Sequence, residues 1–138
     1  MKTLTLLRHA KSGWDDPVAR DFDRPLNEKG VRAAVAMGKK AQQMGLKIDK
    51  MIASPAERVK QTLAGFFEGY GQTIEPVWDR RIYLASSATL LEVIHEMGAE
   101  AEHLMLVGHN PGLEDLVLDL VADDGSSPLR DIVETKFP

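Results

Sequence analysis

The 138-residue chain contains no cysteine, which excludes disulfide frameworks, thiolate metal sites and cysteine nucleophiles. It has no apolar run of membrane-spanning length, and its N-terminus has a strand pattern where a secretory signal would carry basic and apolar regions. An excess of basic charge is also missing: the formal net charge is −4, whereas a general nucleic-acid binder needs a clustered basic surface. We therefore expect a cytoplasmic protein with neither nucleic-acid nor membrane partners.

The composition that remains is that of an ordinary folded domain. Hydrophobic residues make up 43% of the chain and charged residues 28%, values typical of soluble globular proteins. A chain of this length fits one domain, residues 1–138, with a real core. A further strand pattern begins at Ile132 and meets the end of the chain, so we expect the domain to lack its C-terminal strand.

Strand patterns alternate with helical patterns along the chain. The predicted strands lie at 4–7, 50–53, 73–78 and 103–107, and the predicted helices at 27–45, 55–67, 88–97 and 111–120. Such alternation is typical of a parallel or mostly parallel sheet covered by helices. The sequence therefore predicts a three-layer α/β/α sandwich.

Polar residues mark where the helices are expected to begin. Asn27 and Asn110 are expected to be N-caps, and Ser54, Pro55 and Glu57 have the spacing of a capping box. The polar stretch 11–25 is too irregular for a helix and is expected to form a wall of a functional site. The apolar face expected for the first helix consists of Val31, Ala34, Val35, Gly38, Ala41 and Met44.

Chemically active side chains follow three of the predicted strands. Arg8 and His9 follow the first, Ser54 and Arg58 follow the second, and His109 follows a later one. Because the carboxyl ends of parallel strands share one edge of the sheet, we expect these groups to converge on one pocket. Arginine matches phosphate oxygens and histidine exchanges protons near neutral pH, so the set predicts an anion held beside a nucleophile or base.

The arginines and His9 also have a purely structural interpretation. Arg8 and His9 can cap a strand, and Arg58 can form a surface ion pair with Glu57 or Asp79. However, a cation in the first turn of a helix opposes the helix dipole, unless a bound anion reverses the sign of that interaction.

The three other histidines differ in their surroundings. His109 can pack at a strand end with one nitrogen bonded to backbone, but the glycines near it allow a ligand to approach closely. His95 lies in a helix beside charged residues and His103 opens a strand, so neither is assigned a role.

Four motifs occur in order along the chain: Leu7-Arg8-His9-Ala10, Pro25-Leu26-Asn27-Glu28-Lys29-Gly30, Ser54-Pro55-Ala56-Glu57-Arg58 with Gln61-Thr62, and Val107-Gly108-His109-Asn110-Pro111-Gly112. Together they resemble the histidine phosphatase superfamily, also called phosphoglycerate-mutase-like, and the short segments 11–14 and 21–26 are similar to its bacterial SixA-type phosphohistidine phosphatases. The resemblance implies a phosphoglycerate-mutase-like fold and a phosphohistidine intermediate on His9, with Arg8, Arg58 and His109 holding the phosphoryl oxygens. It implies no metal or organic cofactor, a phosphorylated protein or small molecule as substrate, and inorganic phosphate as product.

One departure from the superfamily concerns the general acid. Many members place a glutamate soon after the strand that includes Trp78 here, whereas in this segment only Asp79 is acidic. A poor alkoxide leaving group depends on such an acid, and a phosphoramidate does so less because its bridging nitrogen is readily protonated. Asp15 and Asp79 are possible proton donors, and phosphohistidine of a protein is the expected substrate.

Three other functions stay open at this level. The protein can be a phosphomonoesterase for small organic phosphates, or a non-catalytic module that binds a phosphorylated partner. A metal site built from His9, His109 and a loop carboxylate is disfavoured because the adjacent arginines would repel a cation.

Overall fold

A computed structural model of the chain describes residues 3–11 and 20–120. Its strands are β1 (Thr3–Arg8), β2 (Lys50–Ala53), β3 (Val77–Trp78) and β4 (His103–Gly108). They form one sheet in the order β1-β4-β2-β3, and every neighbouring pair is parallel. The helices are α1 (Glu28–Gln43), α2 (Glu57–Tyr70), α3 (Ser87–Met97) and α4 (Gly112–Leu120).

Helices cover both faces of the sheet. Along β2 and β4 the side chains alternate: Met51 and Met105 pack in a cluster with Phe66 of α2, whereas Ile52 and Leu106 pack in a cluster with α3 and α4. This alternation is the period of two that a strand imposes, and here it fills an apolar core on each face. The three-layer α/β/α sandwich predicted from the sequence is confirmed, and the ends of the three strands that precede candidate site residues, β1, β2 and β4, lie at one edge of the sheet.

Glycines let α1 and α2 touch backbone to backbone. A methyl group added at Gly38 would lie 2.0 Å from the carbonyl oxygen of Phe66, and one at Gly69 would lie 2.0 Å from that of Val35. The contact is therefore a narrow stripe of small residues rather than a broad apolar face. For this reason the predicted face of α1 was wrong at its ends, where Val31 and Met44 are exposed.

The helix starts agree with the predictions only in part. Asn27 caps α1 as predicted, because its Oδ1 accepts a hydrogen bond of 2.8 Å from the Gly30 N–H. The capping box at Ser54 was wrong: α2 begins two residues after Pro55 without a side-chain cap. The last helix begins at Gly112, one residue later than predicted, with Asn110 Oδ1 accepting from the Glu114 N–H at 3.1 Å.

Several smaller features complete the comparison with the sequence. The predicted strand 73–78 shortens to β3 at the edge of the sheet, and the second helix continues three residues beyond its predicted end to Tyr70. Residues 21–23 of the supposedly irregular loop form a 3₁₀ turn. The predicted loop 123–128, the strand from Ile132 and the candidate Asp15 lie outside the described residues. Within the described ranges, no helix has both the length and the apolar character to cross a membrane.

Candidate active site

The structure brings Arg8, His9, Arg58 and His109 to one cavity of about 730 Å³ at the carboxyl edge of the sheet. His9 follows β1, His109 follows β4, and Arg58 lies in the first turn of α2, just after β2. The strands are neighbours in the sheet, so the two imidazole rings come within 5.3 Å of each other, centroid to centroid. The convergence expected from strand topology is therefore present in the geometry.

His9 is held in one tautomer by the backbone. Its Nδ1 lies 2.7 Å from the carbonyl oxygen of Ala10, which can only accept, so Nδ1 carries the proton and Nε2 carries a lone pair. The backbone just after β1 is also held in place, because the His9 N–H donates to the Gly108 carbonyl oxygen and the Ala10 N–H donates to Thr62 Oγ1. The result is a neutral imidazole whose free nitrogen faces the other site residues.

The environment of His9 keeps it unprotonated. Burial lowers its pKa most, and the positive charges of Arg58 and Arg8 lower it further, against the raising effect of the Ala10 hydrogen bond, to about 4. At neutral pH the ring is therefore available as a nucleophile or base rather than as an acid.

Arg58 is a buried cation in the centre of the site, with 2% of its surface exposed. Its Nε donates to His9 Nε2 at 3.4 Å, and its Nη1 donates to the backbone oxygen of Asp21 at 2.6 Å. Its Nη2 lies 3.1 Å from Asp21 Oδ2. The alternative of a surface ion pair with Glu57 or Asp79 is wrong, because the side chain turns inward from the first turn of α2 toward the cavity.

Asp21 is a site residue that the sequence analysis did not identify. Its carboxylate accepts hydrogen bonds from Tyr83, Arg24 and Arg58. Burial acts to raise its pKa, but the hydrogen bonds from Tyr83 and Arg24, with the charge and hydrogen bond of Arg58, lower it to about 2. Asp21 is therefore ionised at neutral pH, and its carboxylate forms an ion pair with Arg58. Its signals in the sequence were its place in the polar stretch after His9 and in segment 21–26, which resembles SixA-type phosphatases.

His109 contacts both Arg58 and Ser54. Its Nδ1 lies 3.4 Å from Arg58 Nη2, and its Nε2 lies 2.8 Å from Ser54 Oγ. Burial, followed by the charges of Arg58 and His9, lowers its pKa to about 3. The Ser54 hydroxyl, expected to cap α2, instead serves this ring, which explains why the capping box is absent.

The remaining candidates take separate places. Arg8 is exposed at the end of β1 and lines the cavity beside His9. Asp79 does not line the cavity: its carboxylate binds Arg81 Nη2 at 2.7 Å, and the hydrogen bonds from Arg81 outweigh burial and lower its pKa. This position argues against Asp79 as a proton donor. His95 is exposed on α3, and His103 Nδ1 lies 2.8 Å from Thr3 Oγ1, at the start of β1.

A metal centre has no support in the geometry that is described. Among residues 3–11 and 20–120, no group of three His, Asp or Glu side chains is placed to hold a metal ion. The two imidazoles lie beside Arg58, whose positive charge disfavours a cation there.

Comparison with known proteins shows the family to which the chain belongs. The family model of the histidine phosphatase superfamily (branch 1) matches residues 4–81, and the chain belongs to that superfamily. An uncharacterised protein of Mycobacterium tuberculosis is 32% identical over 133 residues, which cover 96% of this chain and 81% of the relative.

Two solved structures narrow the assignment. A protein of Agrobacterium tumefaciens, proposed to be the phosphohistidine phosphatase SixA, superposes with a TM-score of 0.85 at 34% identity, covering 98% of this chain and 84% of that one. A similarly described protein from Nakamurella multipartita gives a TM-score of 0.78 at 30% identity, covering 94% and 76%. Within the superfamily the chain is therefore a SixA-type member.

Proposed function

We propose that the protein is a phosphatase that removes phosphate from phosphohistidine of a protein through a covalent phosphohistidine on its own His9. The observation that carries the proposal is the state of His9: Nδ1 is committed to Ala10, and the lone pair on Nε2 faces a cluster of cations. A neutral imidazole held beside charges that stabilise an anion is what nucleophilic attack on a phosphoryl group requires.

The first step transfers the phosphoryl group to His9. The Nε2 lone pair forms a bond to phosphorus as the phosphorus–nitrogen bond of the substrate breaks. The histidine of the substrate leaves as a neutral imidazole, because its bridging nitrogen keeps the electron pair of the broken bond and its other ring nitrogen already carries a proton. In the second step a water oxygen attacks phosphorus, the bond to Nε2 breaks, and both water protons leave with the phosphate.

The cations of the site neutralise the charge on the transferred group. Arg58 lies between the two imidazoles, with Nε 3.4 Å from His9 Nε2 and Nη2 3.4 Å from His109 Nδ1, and Arg8 and Arg24 line the same cavity. Loose phosphoryl-transfer transition states spread charge over three equatorial oxygens, so two arginines and His109 can supply the donors. Arg8, Arg58 and His109 are accordingly proposed as the phosphate-binding residues.

The acids of the described site favour an activated substrate over an alkyl phosphate. Asp21 is the only carboxylate among the described residues that line the cavity, and with a pKa of about 2 it is ionised and bound to Arg58. Neither Asp21 nor Asp79 has a proton to give at neutral pH. Phosphohistidine does not need that proton from the enzyme, whereas an alkoxide leaving group does. The part of Asp15 in proton donation and the cytoplasmic location stay predictions.

The decisive experiment traps the intermediate. Purified protein is mixed with a histidine-phosphorylated protein carrying labelled phosphate and quenched in base, and the label is mapped to a peptide. We expect acid-labile, base-stable label on His9, and no turnover by His9→Ala. His95→Ala is the matched control, because His95 lies outside the cavity, and it should retain full activity.

Measurements of phosphate release and of binding separate the competing functions. Preference for a simple alkyl phosphate over phosphoramidate would establish the phosphomonoesterase instead. Binding of a phosphorylated protein without release of phosphate would establish a recognition module. Full activity in His9→Ala would contradict the covalent mechanism.

A further inference from the structure

Ser54 is a buried residue whose hydroxyl forms a hydrogen bond with His109 of the site. Its side chain is fully buried, and its Oγ lies 2.8 Å from His109 Nε2. The same oxygen accepts a hydrogen bond of 3.3 Å from the Ala56 N–H. Ser54 does not line the cavity, so any effect on a bound phosphoryl group must pass through the imidazole.

The hydrogen-bond partners fix the tautomer of His109 in the free protein. A guanidinium can only donate, so His109 Nδ1, at 3.4 Å from Arg58 Nη2, must be the accepting nitrogen. The ring proton is then on Nε2, which donates to Ser54 Oγ. In this state both lone pairs of the serine oxygen are occupied, one by Ala56 and one by His109.

A bound phosphoryl group requires His109 to donate a hydrogen bond from the ring nitrogen that faces it. Fully ionised phosphoryl oxygens only accept hydrogen bonds, so a ring nitrogen that faces them has to donate. In the Nε2–H tautomer Nδ1 carries a lone pair in place of a proton, so it has nothing to donate to such an oxygen. A neutral ring can meet the new requirement by carrying its proton on Nδ1, provided that Nε2 then finds a donor.

Building on the phosphatase proposed above, we infer that Ser54 is a positioning residue that lets His109 exchange tautomers when a phosphoryl group binds. Its hydroxyl accepts from Nε2–H in the free protein and rotates to donate to bare Nε2 in the complex, where Nδ1–H donates to a phosphoryl oxygen. Nε2 loses one proton to solvent and Nδ1 gains one from solvent, so the ring stays neutral throughout. The Ala56 N–H donates to Ser54 Oγ in both states.

A hydroxyl is the group suited to this position, because it can both donate and accept. Alanine would leave a buried ring nitrogen without a hydrogen-bond partner in either state, which is unfavourable for a buried polar group. The low pKa of His109 in the free protein, about 3, agrees with a neutral ring before the phosphoryl group binds.

Nitrogen-15 NMR of the histidine rings tests the inference on the intact protein. Tungstate is the probe, because it carries no proton at neutral pH and so any proton on Nδ1 belongs to the ring. We expect the His109 resonances to report Nε2–H in the free protein and Nδ1–H in the tungstate complex. A free protein with Nδ1–H, an imidazolium in the complex, or a proton that stays on Nε2 would overturn the inference.

Two variants extend the test to catalysis. We expect Ser54→Ala to bind tungstate about tenfold more weakly and to lose the two-state change in its spectrum, whereas Ser54→Thr keeps the hydroxyl and the change. If Ser54→Ala shows the wild-type spectra in both states, the inference fails. The NMR result does not depend on turnover, so an inactive wild-type protein would refute the phosphatase while leaving the tautomer exchange to be judged separately.

Discussion

At the scale of the single residue, the protonation of His9 governs whether the site can react. In the proposed mechanism its Nε2 attacks only when unprotonated, and burial together with Arg58 and Arg8 lowers the pKa of the ring to about 4. We therefore predict that the His9 resonances, followed by NMR from pH 5.5 to 7.5, show no titration. The acid limit of kcat/KM set by the free enzyme should lie near pH 4 instead of 6.5.

The unfolded chain provides the control for this titration. In concentrated urea the burial and the fixed arginines are lost, so the His9 ring should titrate near its ordinary pKa of about 6.5. A midpoint between pH 6 and 7 in the folded protein would show that the site does not hold His9 neutral, and would contradict the account of its nucleophilicity.

The sequence predicted some site residues and missed others for a physical reason. Arg8, His9, Arg58 and His109 could be predicted because the ends of parallel strands meet at one edge, whatever the details of packing. Asp21 and Tyr83 could not, because their hydrogen bond joins positions 62 residues apart that belong to no strand end. Ser54 was identified at the site, but its local capping role was expected in place of its tertiary contact with His109.

At the scale of the element, the hydrophobic pattern of helix α1 predicted the correct buried face in its middle but extended that face too far at both ends. Ala34, Gly38 and Ala41 are buried, as the spacing predicts, whereas Val31 is 48% exposed and Met44 is 68% exposed. The hydrophobic pattern carries no information about which partner a helix meets. Here the partner, α2, approaches so closely through Gly65 and Gly69 that large side chains have no place in the contact.

This close approach predicts that replacing a helical glycine by alanine lowers the free energy of unfolding, although the same change usually raises it. Gly38→Ala in an exposed helix would stabilise by up to about 1 kcal/mol, but here the added methyl would meet the Phe66 carbonyl oxygen at 2.0 Å. The helices must separate to relieve that contact, so we expect a loss of about 2 kcal/mol or more, within the range for overpacking. Urea unfolding monitored by circular dichroism gives the free-energy change.

Ala36→Gly is the matched control in the same helix, because Ala36 is exposed and should lose only about 1 kcal/mol through helix propensity. If Gly38→Ala proves as stable as the wild type, the backbone contact between α1 and α2 is not as close as the structure has it. A larger loss in Gly38→Ala than in Ala36→Gly would support it.

At the scale of the whole molecule, the two site histidines link stability to pH. The folded protein keeps the pKa of His9 at about 4 and that of His109 at about 3, whereas both rise to about 6.5 on unfolding. Between pH 6.5 and 4 the unfolded chain therefore binds more protons than the folded one, and unfolding becomes easier as the pH falls. The contribution of the two histidines to stability is fully present above pH 6.5 and is lost as the pH falls toward 4.

We predict that the free energy of unfolding, measured in urea at intervals from pH 7.5 to 4.5, is level at the upper end and declines below pH 6.5. Each histidine can contribute a slope of at most about 1.4 kcal/mol per pH unit. His109→Gln removes one titrating group, so its decline should be shallower, while Asp21, with a pKa of about 2, adds to the slope only below this window. Equal slopes in the two proteins would mean that His109 is not held neutral by the fold, and the proposed exchange between its neutral tautomers would be contradicted.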